Sequence, residues 1–139
     1  ILNVLQKSNS SYFNLVMPDT FFHGEMPYNK LSQNPNVAEV GCWKIRNEQK
    51  GKLGQVQLNR NHVTEFKDKD PYCSFEYSWG SLTFSRKLVP YISTADPHIG
   101  YALEKALKNG EVITAKIING QYFDCGTPTE YFTMIKQLT

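Results

Sequence analysis

An α/β domain built on a mixed sheet is the fold class that the sequence predicts. Three observations carry it. Short apolar stretches of strand type recur along the chain, an antiparallel hairpin pattern is inserted between them, and two capped helical patterns punctuate the last third. The 139 residues fit one domain. A domain of about this size buries roughly two-thirds of its unfolded surface, enough for a real core.

The elements follow in order. Ile1, Leu2, Val4 and Leu5 have helical spacing, and Asn9-Ser10-Ser11 stops them. Residues 13–17 form an apolar run closed by Pro18, which predicts a buried strand with Asp19 just past its carboxyl end. Residues 21–36 are mixed in pattern, with 28–32 compatible with a helical turn. Residues 37–46 read as a strand with partial alternation. After a turn-rich stretch, Val56 and Leu58 alternate with Gln55 and Gln57 as in a half-buried strand. Asn59-Arg60-Asn61 is a tight turn, and residues 62–66 return as the hairpin partner. Residues 67–71 form a charged loop. The aromatic and β-branched residues of 72–84 predict one long strand, or two joined at Gly80.

Asp96-Pro97 reads as a helix N-cap followed by proline in the first turn. The helix over 101–109 places Leu103, Ala106 and Leu107 on one face and sets Glu104 four residues before Lys108. Gly110 fits the position just past its end. Residues 112–118 are a strand, and Asn119-Gly120 is a hairpin signal from which residues 121–124 return. Thr127-Pro128-Thr129-Glu130 is a capping box with proline at the first helical position. The closing helix carries Tyr131, Phe132, Met134, Ile135 and Leu138.

Composition excludes several classes. No run of about 18 apolar residues exists, so no membrane span is expected. The opening apolar stretch is too short for a signal peptide. The formal net charge is +2 with Lys and Arg scattered, which argues against a nucleic-acid binder. Cys42, Cys73 and Cys125 cannot all pair and show no C-x-x-C spacing, so three reduced thiols in a cytoplasmic protein are expected. His23, His62 and His98 lack zinc-enzyme spacing, and no nucleophile-elbow motif occurs.

Asp19 and Asp124 stand out by position, each at or just past the end of a strand, where open α/β sheets bind ligands. Two carboxylates meeting there suit Mg2+, which takes one or two carboxylates with phosphate oxygens and waters. On the residues alone, a turn or cap role is the favoured reading of both aspartates, with Asp124 accepting backbone N–H groups of the turn at Gly126.

Residues 119–138 resemble the closing motif of the sugar-1-phosphate nucleotidyltransferases: a hairpin, an aromatic pair, Asp124, Cys125, Gly126-Thr127-Pro128, then an acidic residue and a helix. Upstream segments resemble the family in the same order. They are the strand leading to Asp19, the Gly54-Gln55-Val56 strand, the Asp68-Lys69-Asp70-Pro71 stretch in place of Glu-Lys-Pro, and the strand around Gly80. Pro18 replaces a glycine, and Trp79 stands where Asn or Thr is usual.

The resemblance implies a layered α/β/α Rossmann-like nucleotidyltransferase fold with a mixed sheet. It further implies that residues 1–139 are a single partial domain, the sugar- and metal-binding side, without the N-terminal nucleotide-binding half and its glycine-rich phosphate loop. The implied activity is transfer of a nucleoside monophosphate from a nucleoside triphosphate to a sugar 1-phosphate. Asp19 and Asp124 would be the catalytic metal pair holding Mg2+. Lys69 would hold the sugar phosphate, Asp68 would accept from sugar hydroxyls, Gly54 would let the sugar approach the backbone, and Trp79 with Gly80 would line the sugar pocket. A charged solvated loop is the other reading of 67–70, and a core aromatic the other reading of Trp79. The alternative to catalysis is a binding or interaction module on the same scaffold. A sheet edge and apolar surface exposed by a missing half would favour self-association into a homo-oligomer.

Overall fold

Strands β1 (Tyr12–Leu15), β3 (Ala38–Lys44), β4 (Gly54–Asn59), β5 (His62–Asp68), β6 (Tyr77–Ser85) and β7 (Ile113–Ile117) share one sheet, while β2 (Thr20–Gly24) and β8 (Gly120–Asp124) pair separately. The computed structural model describes residues 1–96 and 98–139. Helices α1 (Leu2–Lys7), α2 (Ile99–Lys108) and α3 (Pro128–Leu138) and three short 3-10 turns complete the order. The result is a mixed α/β fold that is mostly sheet.

The large sheet runs β1-β6-β3-β7-β5-β4, and β4 pairs again with β6 through Gln55–Ser78 and Val56–Tyr77. Five of its strands therefore close on themselves. The β3–β7 pair is parallel and the other pairs are antiparallel, which makes the sheet mixed, as the sequence predicts. β3 is buried along nearly its whole length. A strand covered on both faces has no reason to alternate, and this explains its partial pattern.

The larger core cluster gathers Val40, Val56, Leu82, Phe84 and Ile113 from the sheet and Val37 just before β3 with Leu5 from α1 and Ile99, Ala102, Leu103 and Ala106 from α2. A smaller cluster of Trp43, Leu53, Ile118 and Tyr122 lies beneath the β2–β8 pair. There Phe22 stacks on Trp43 at 5.3 Å and 10°, and Trp43 meets Tyr122 at 5.2 Å.

Several expectations are corrected. The run 13–17 gives an edge strand that ends at Leu15, with Phe13 and Leu15 half-buried and Tyr12 and Asn14 outward, not a buried one, and Asp19 stands just before β2 instead of just past that strand. Residues 20–24 form β2, which the sequence reading left within a mixed segment. Its partner β8 lies a hundred residues away, and local pattern carries no trace of it. Residues 27–29 are a 3-10 turn rather than a longer helix. The strand of 72–84 begins only at Tyr77 and runs unbroken through Gly80.

Asn119-Gly120 does not join a hairpin. β7 stays in the large sheet while β8 crosses to pair with β2, and Gly120 sits at φ +119 opposite Gly24. The cap of α2 is His98, not Asp96, and Pro97 lies outside the described residues. Gly110 takes φ +85 past the helix end, as expected. In α3 Met134 is buried, whereas Tyr131, Phe132 and Ile135 are exposed. No described helix is long and apolar enough to cross a membrane.

Candidate functional site

The β2–β8 ladder builds the site from the backbone outward. Thr20 pairs with Asp124, so Asp19, just before β2, arrives beside the end of β8. The Cys125 N–H donates to Asp19 O at 2.7 Å and locks the two segments together. The Gly126 N–H donates to Asp124 Oδ1 at 3.0 Å, an Asx-type turn that orients this carboxylate. The Thr127 hydroxyl then accepts from the Glu130 N–H at 3.2 Å and starts α3.

Gly126 shows how closely the two carboxylates converge. A Cβ on it would lie 3.2 Å from Asp124 Oδ1 and 3.3 Å from Asp19 Oδ2. Both side chains thus face one small volume beside Gly126, which a methyl there would crowd. Their joint field is felt nearby. Burial, then the carboxylates of Asp124 and Asp19, push the Tyr122 hydroxyl far above the usual phenol range. Burial, then Asp124, Glu130 and Asp19, raise the Cys125 thiol, whose Sγ lies 3.4 Å from Met134 Sδ. An unactivated thiol is the outcome, in line with its reading as structural.

A cleft of about 180 Å3 opens beside this pair and brings most of the sequence-predicted residues together. Asp19, Gly54, Asp68, Lys69, Trp79 and Asp124 all line it. Asp68 ends β5, and Lys69 follows at φ +49, a left-handed conformation unusual for lysine. Its N–H donates to Leu53 O at 3.3 Å, which swings the Lys69 segment against the start of β4.

Two glycines act through their neighbours. The space above Gly54 is filled by Trp79, whose Nε1 would lie 2.6 Å from a Cβ there. Gly54 therefore seats the indole and still lines the cleft. Gly80 does not line the cleft. It is the extra residue of a bulge in which Gly41 faces Ser81 and Cys42 faces Trp79. A Cβ on Gly80 would lie 2.2 Å from the Tyr122 ring, and Tyr122 is a wall of the cleft. Trp79 belongs to the core and also lines the cleft: it is 9% exposed.

Sequence reasoning missed Lys52, Tyr122 and His98, all of which line the cleft. Lys52 lay in a turn-rich stretch with no motif, and His98 was one of three isolated histidines. Among the described residues no group of three or more His, Cys, Asp or Glu side chains gathers as a metal site. Two carboxylates without a third protein ligand fit a hard cation that keeps waters and takes phosphate oxygens.

No family model matches the sequence, and no curated protein matches it either. Solved structures do. A glucose-1-phosphate thymidylyltransferase of Bacillus anthracis in complex with sucrose superposes with a TM-score of 0.78 at 19% identity, over 99% of this chain and 60% of that one. The inositol-1-phosphate CTP transferase of T. maritima gives 0.76 at 17% identity, over 99% and 58%. A UDP-glucose pyrophosphorylase complexed with UDP-glucose gives 0.76 at 15% identity, over 99% and 59%. This chain spans about 60% of the length of these three structures. At this level of identity the likeness speaks to architecture, and the chain has the fold seen in these sugar-phosphate and inositol-phosphate nucleotidyltransferases.

Proposed function

We propose that the cleft serves nucleotidyl transfer to a sugar 1-phosphate. In that reaction a sugar-phosphate oxygen bonds to the α-phosphorus of a nucleoside triphosphate, the α–β bridging bond breaks, and nucleotide-sugar and pyrophosphate are the products. The observation that carries the reading is the convergence of the Asp19 and Asp124 carboxylates on Gly126, beside a cleft that Lys69 also lines.

The difficulty of such a reaction is charge: two phosphate groups must meet in line, and positioning with electrostatic neutralisation supplies most of the help. Asp19 and Asp124 would hold Mg2+, which when bound offsets phosphate charge. Lys69, fixed by its backbone bond to Leu53, presents an ammonium to the sugar phosphate. Asp68 accepts from sugar hydroxyls. Trp79 offers a ring as a flat apolar wall, and Gly80 gives Tyr122 the room to complete that wall.

The test is calorimetric titration of the chain with Mg2+, glucose 1-phosphate and nucleoside triphosphate. Mg2+-dependent binding of the sugar phosphate that is lost in Asp19→Asn and Asp124→Asn supports the reading; binding indifferent to both substitutions would sink it.

The second reading is a module on the same fold that binds sugar phosphate without turning it over. Sugar-phosphate binding without triphosphate binding would favour it. Three free cysteines suit a reducing compartment such as the cytoplasm. Sedimentation at rising concentration tests whether the exposed Tyr131, Phe132 and Ile135 support a homo-oligomer.

A further inference from the structure

Lys52 is the charged group of the cleft to which neither the family resemblance nor the reading above gives a role. It lines the cleft together with Asp19, Asp68, Lys69 and Asp124, and with Asp124 it also borders the adjoining cavity. Its place is set by backbone contacts. The Lys52 N–H donates to Gln49 O at 3.0 Å. The Gln49 side chain donates through Nε2 to Tyr122 O at 2.8 Å and accepts at Oε1 from the Arg46 N–H at 3.0 Å. Tyr122 lies two residues before Asp124 on β8, so Gln49 ties the Lys52 turn to the strand that delivers the carboxylate. On the other side, Lys69 is pinned to Leu53, the residue next to Lys52. Two lysines distant in sequence thus flank Leu53 and share one cleft with the carboxylate pair.

Neither lysine is committed elsewhere: the ion pairs among the described residues involve neither Lys52 nor Lys69. Charge counting shows why a second cation matters. Asp19, Asp68 and Asp124 face Lys52 and Lys69, a net charge of one negative. With a divalent cation on the aspartates the cleft turns net positive and attracts a phosphate dianion. Without Lys52 the same loaded cleft is neutral. Two uncommitted ammonium groups lining one cleft suit the several oxygens of a phosphate monoester, each as a point charge, and offer little to an uncharged sugar.

We propose that Lys52 is a further substrate-binding residue, taking one oxygen of the phosphate of a sugar 1-phosphate while Lys69 takes another. The proposal rests on the reading of the cleft given above. Its side chain is exposed and its own hydrogen bond is made by its backbone N–H, so Lys52→Gln keeps the fold. The test is calorimetry in Mg2+ with glucose 1-phosphate, glucose and inorganic phosphate as probes. The unsubstituted chain is expected to bind glucose 1-phosphate more tightly than glucose. Lys52→Gln is expected to weaken glucose 1-phosphate and inorganic phosphate about tenfold, the scale of one charge-assisted hydrogen bond. Lys52→Arg is expected to retain most of the affinity. If the unsubstituted chain does not prefer glucose 1-phosphate to glucose, the reading of the cleft and the role of Lys52 both fall. If it does, and Lys52→Gln binds both phosphates as tightly, the role of Lys52 alone is overturned.

Discussion

Asp19 and Asp124 reach one point from the two strands of a single antiparallel pair, and an oxygen of each lies within 3.3 Å of where a Cβ on Gly126 would stand. Two like charges are held together by backbone bonds, from Cys125 N–H to Asp19 O and from Gly126 N–H to Asp124 Oδ1. Such an arrangement costs repulsion unless a cation shares it.

Gly126→Ala tests that geometry without removing a charge. The backbone at Gly126 is outside the left-handed region, so alanine is tolerated conformationally. Its methyl meets both carboxylates in tight contact, and they must part by a few tenths of an ångström. Affinity for Mn2+, followed by its paramagnetic signal, is expected to fall about tenfold, as when the support of a metal ligand is disturbed. Asp124→Asn is expected to cost at least as much. Unchanged Mn2+ affinity in both variants would remove the aspartate pair as a cation site.

Gly80→Ala is expected to be a stability variant. Its methyl would overlap the Tyr122 ring at 2.2 Å, inside a well-packed aromatic cluster. Overpacking of this kind costs about 3 kcal/mol. Urea denaturation should show that loss, and Tyr122→Leu in the same chain should recover part of it, because the two positions share one contact. Additive losses would mean that the clash is relieved elsewhere.

How much of this was legible in the sequence depends on how local each signal is. Thr127, Pro128 and Glu130 start α3 as read, because a cap is written in four consecutive residues. The hairpin of β4 and β5 was read from alternation and its turn, except that Lys67 and Asp68, expected in a charged loop, extend β5 and pair with Gln55 and Gly54. Asp19 and Asp124 were singled out by their positions near strand ends, and the strand pairing that joins them was invisible: β2 pairs with a strand a hundred residues on. Asn119-Gly120 misled because the same dipeptide that closes hairpins also serves where a chain leaves one sheet for another. Lys52 was missed because its place depends on a Gln49 side chain reaching Tyr122 across the fold. The seating of Trp79 over Gly54 was likewise a tertiary fact.

Trp79 gives the cleft an optical reporter. Trp43 is stacked on Phe22 in the smaller core cluster and is not part of the cleft lining, whereas Trp79 is. Glucose 1-phosphate is expected to change the emission of the unsubstituted chain, and Trp79→Phe should abolish that change while Trp43 emission remains. Gly54→Ala, whose methyl would lie 2.6 Å from the indole nitrogen, should shift the emission before any ligand is added. A ligand response that survives Trp79→Phe would place the bound sugar elsewhere.

Tyr28 sets a limit at alkaline pH. Burial raises its hydroxyl from 10 to about 12, and the hydroxyl donates to Leu15 O on the edge strand. The folded state therefore prefers the protonated phenol more than the unfolded chain does. The stabilisation is complete below pH 10, declines as pH rises above it, and is lost through about 12. Chemical denaturation across this window should show falling stability with a smaller slope in Tyr28→Phe, which has no proton to lose. An unchanged slope would mean that the phenol is solvated in the folded state.

Thr127→Ala separates the helix cap from the core. The Thr127 hydroxyl accepts from the Glu130 N–H and lies 2.9 Å from Glu130 Oε2, so one side chain organises the first turn of α3. Only Met134 of this helix is buried. With so little packing behind it, the helix depends on local terms, and loss of the cap costs about 1 kcal/mol. The loss should fall on α3 rather than on the sheet. Amide exchange over residues 130–134 is expected to quicken about fivefold, the rate equivalent of that energy, while β3 and β6 amides keep their protection. Because the cap follows directly on Asp124, Cys125 and Gly126, Mn2+ affinity should weaken slightly, by less than in Gly126→Ala. Equal acceleration across the whole chain would show instead that α3 and the sheet unfold as one unit.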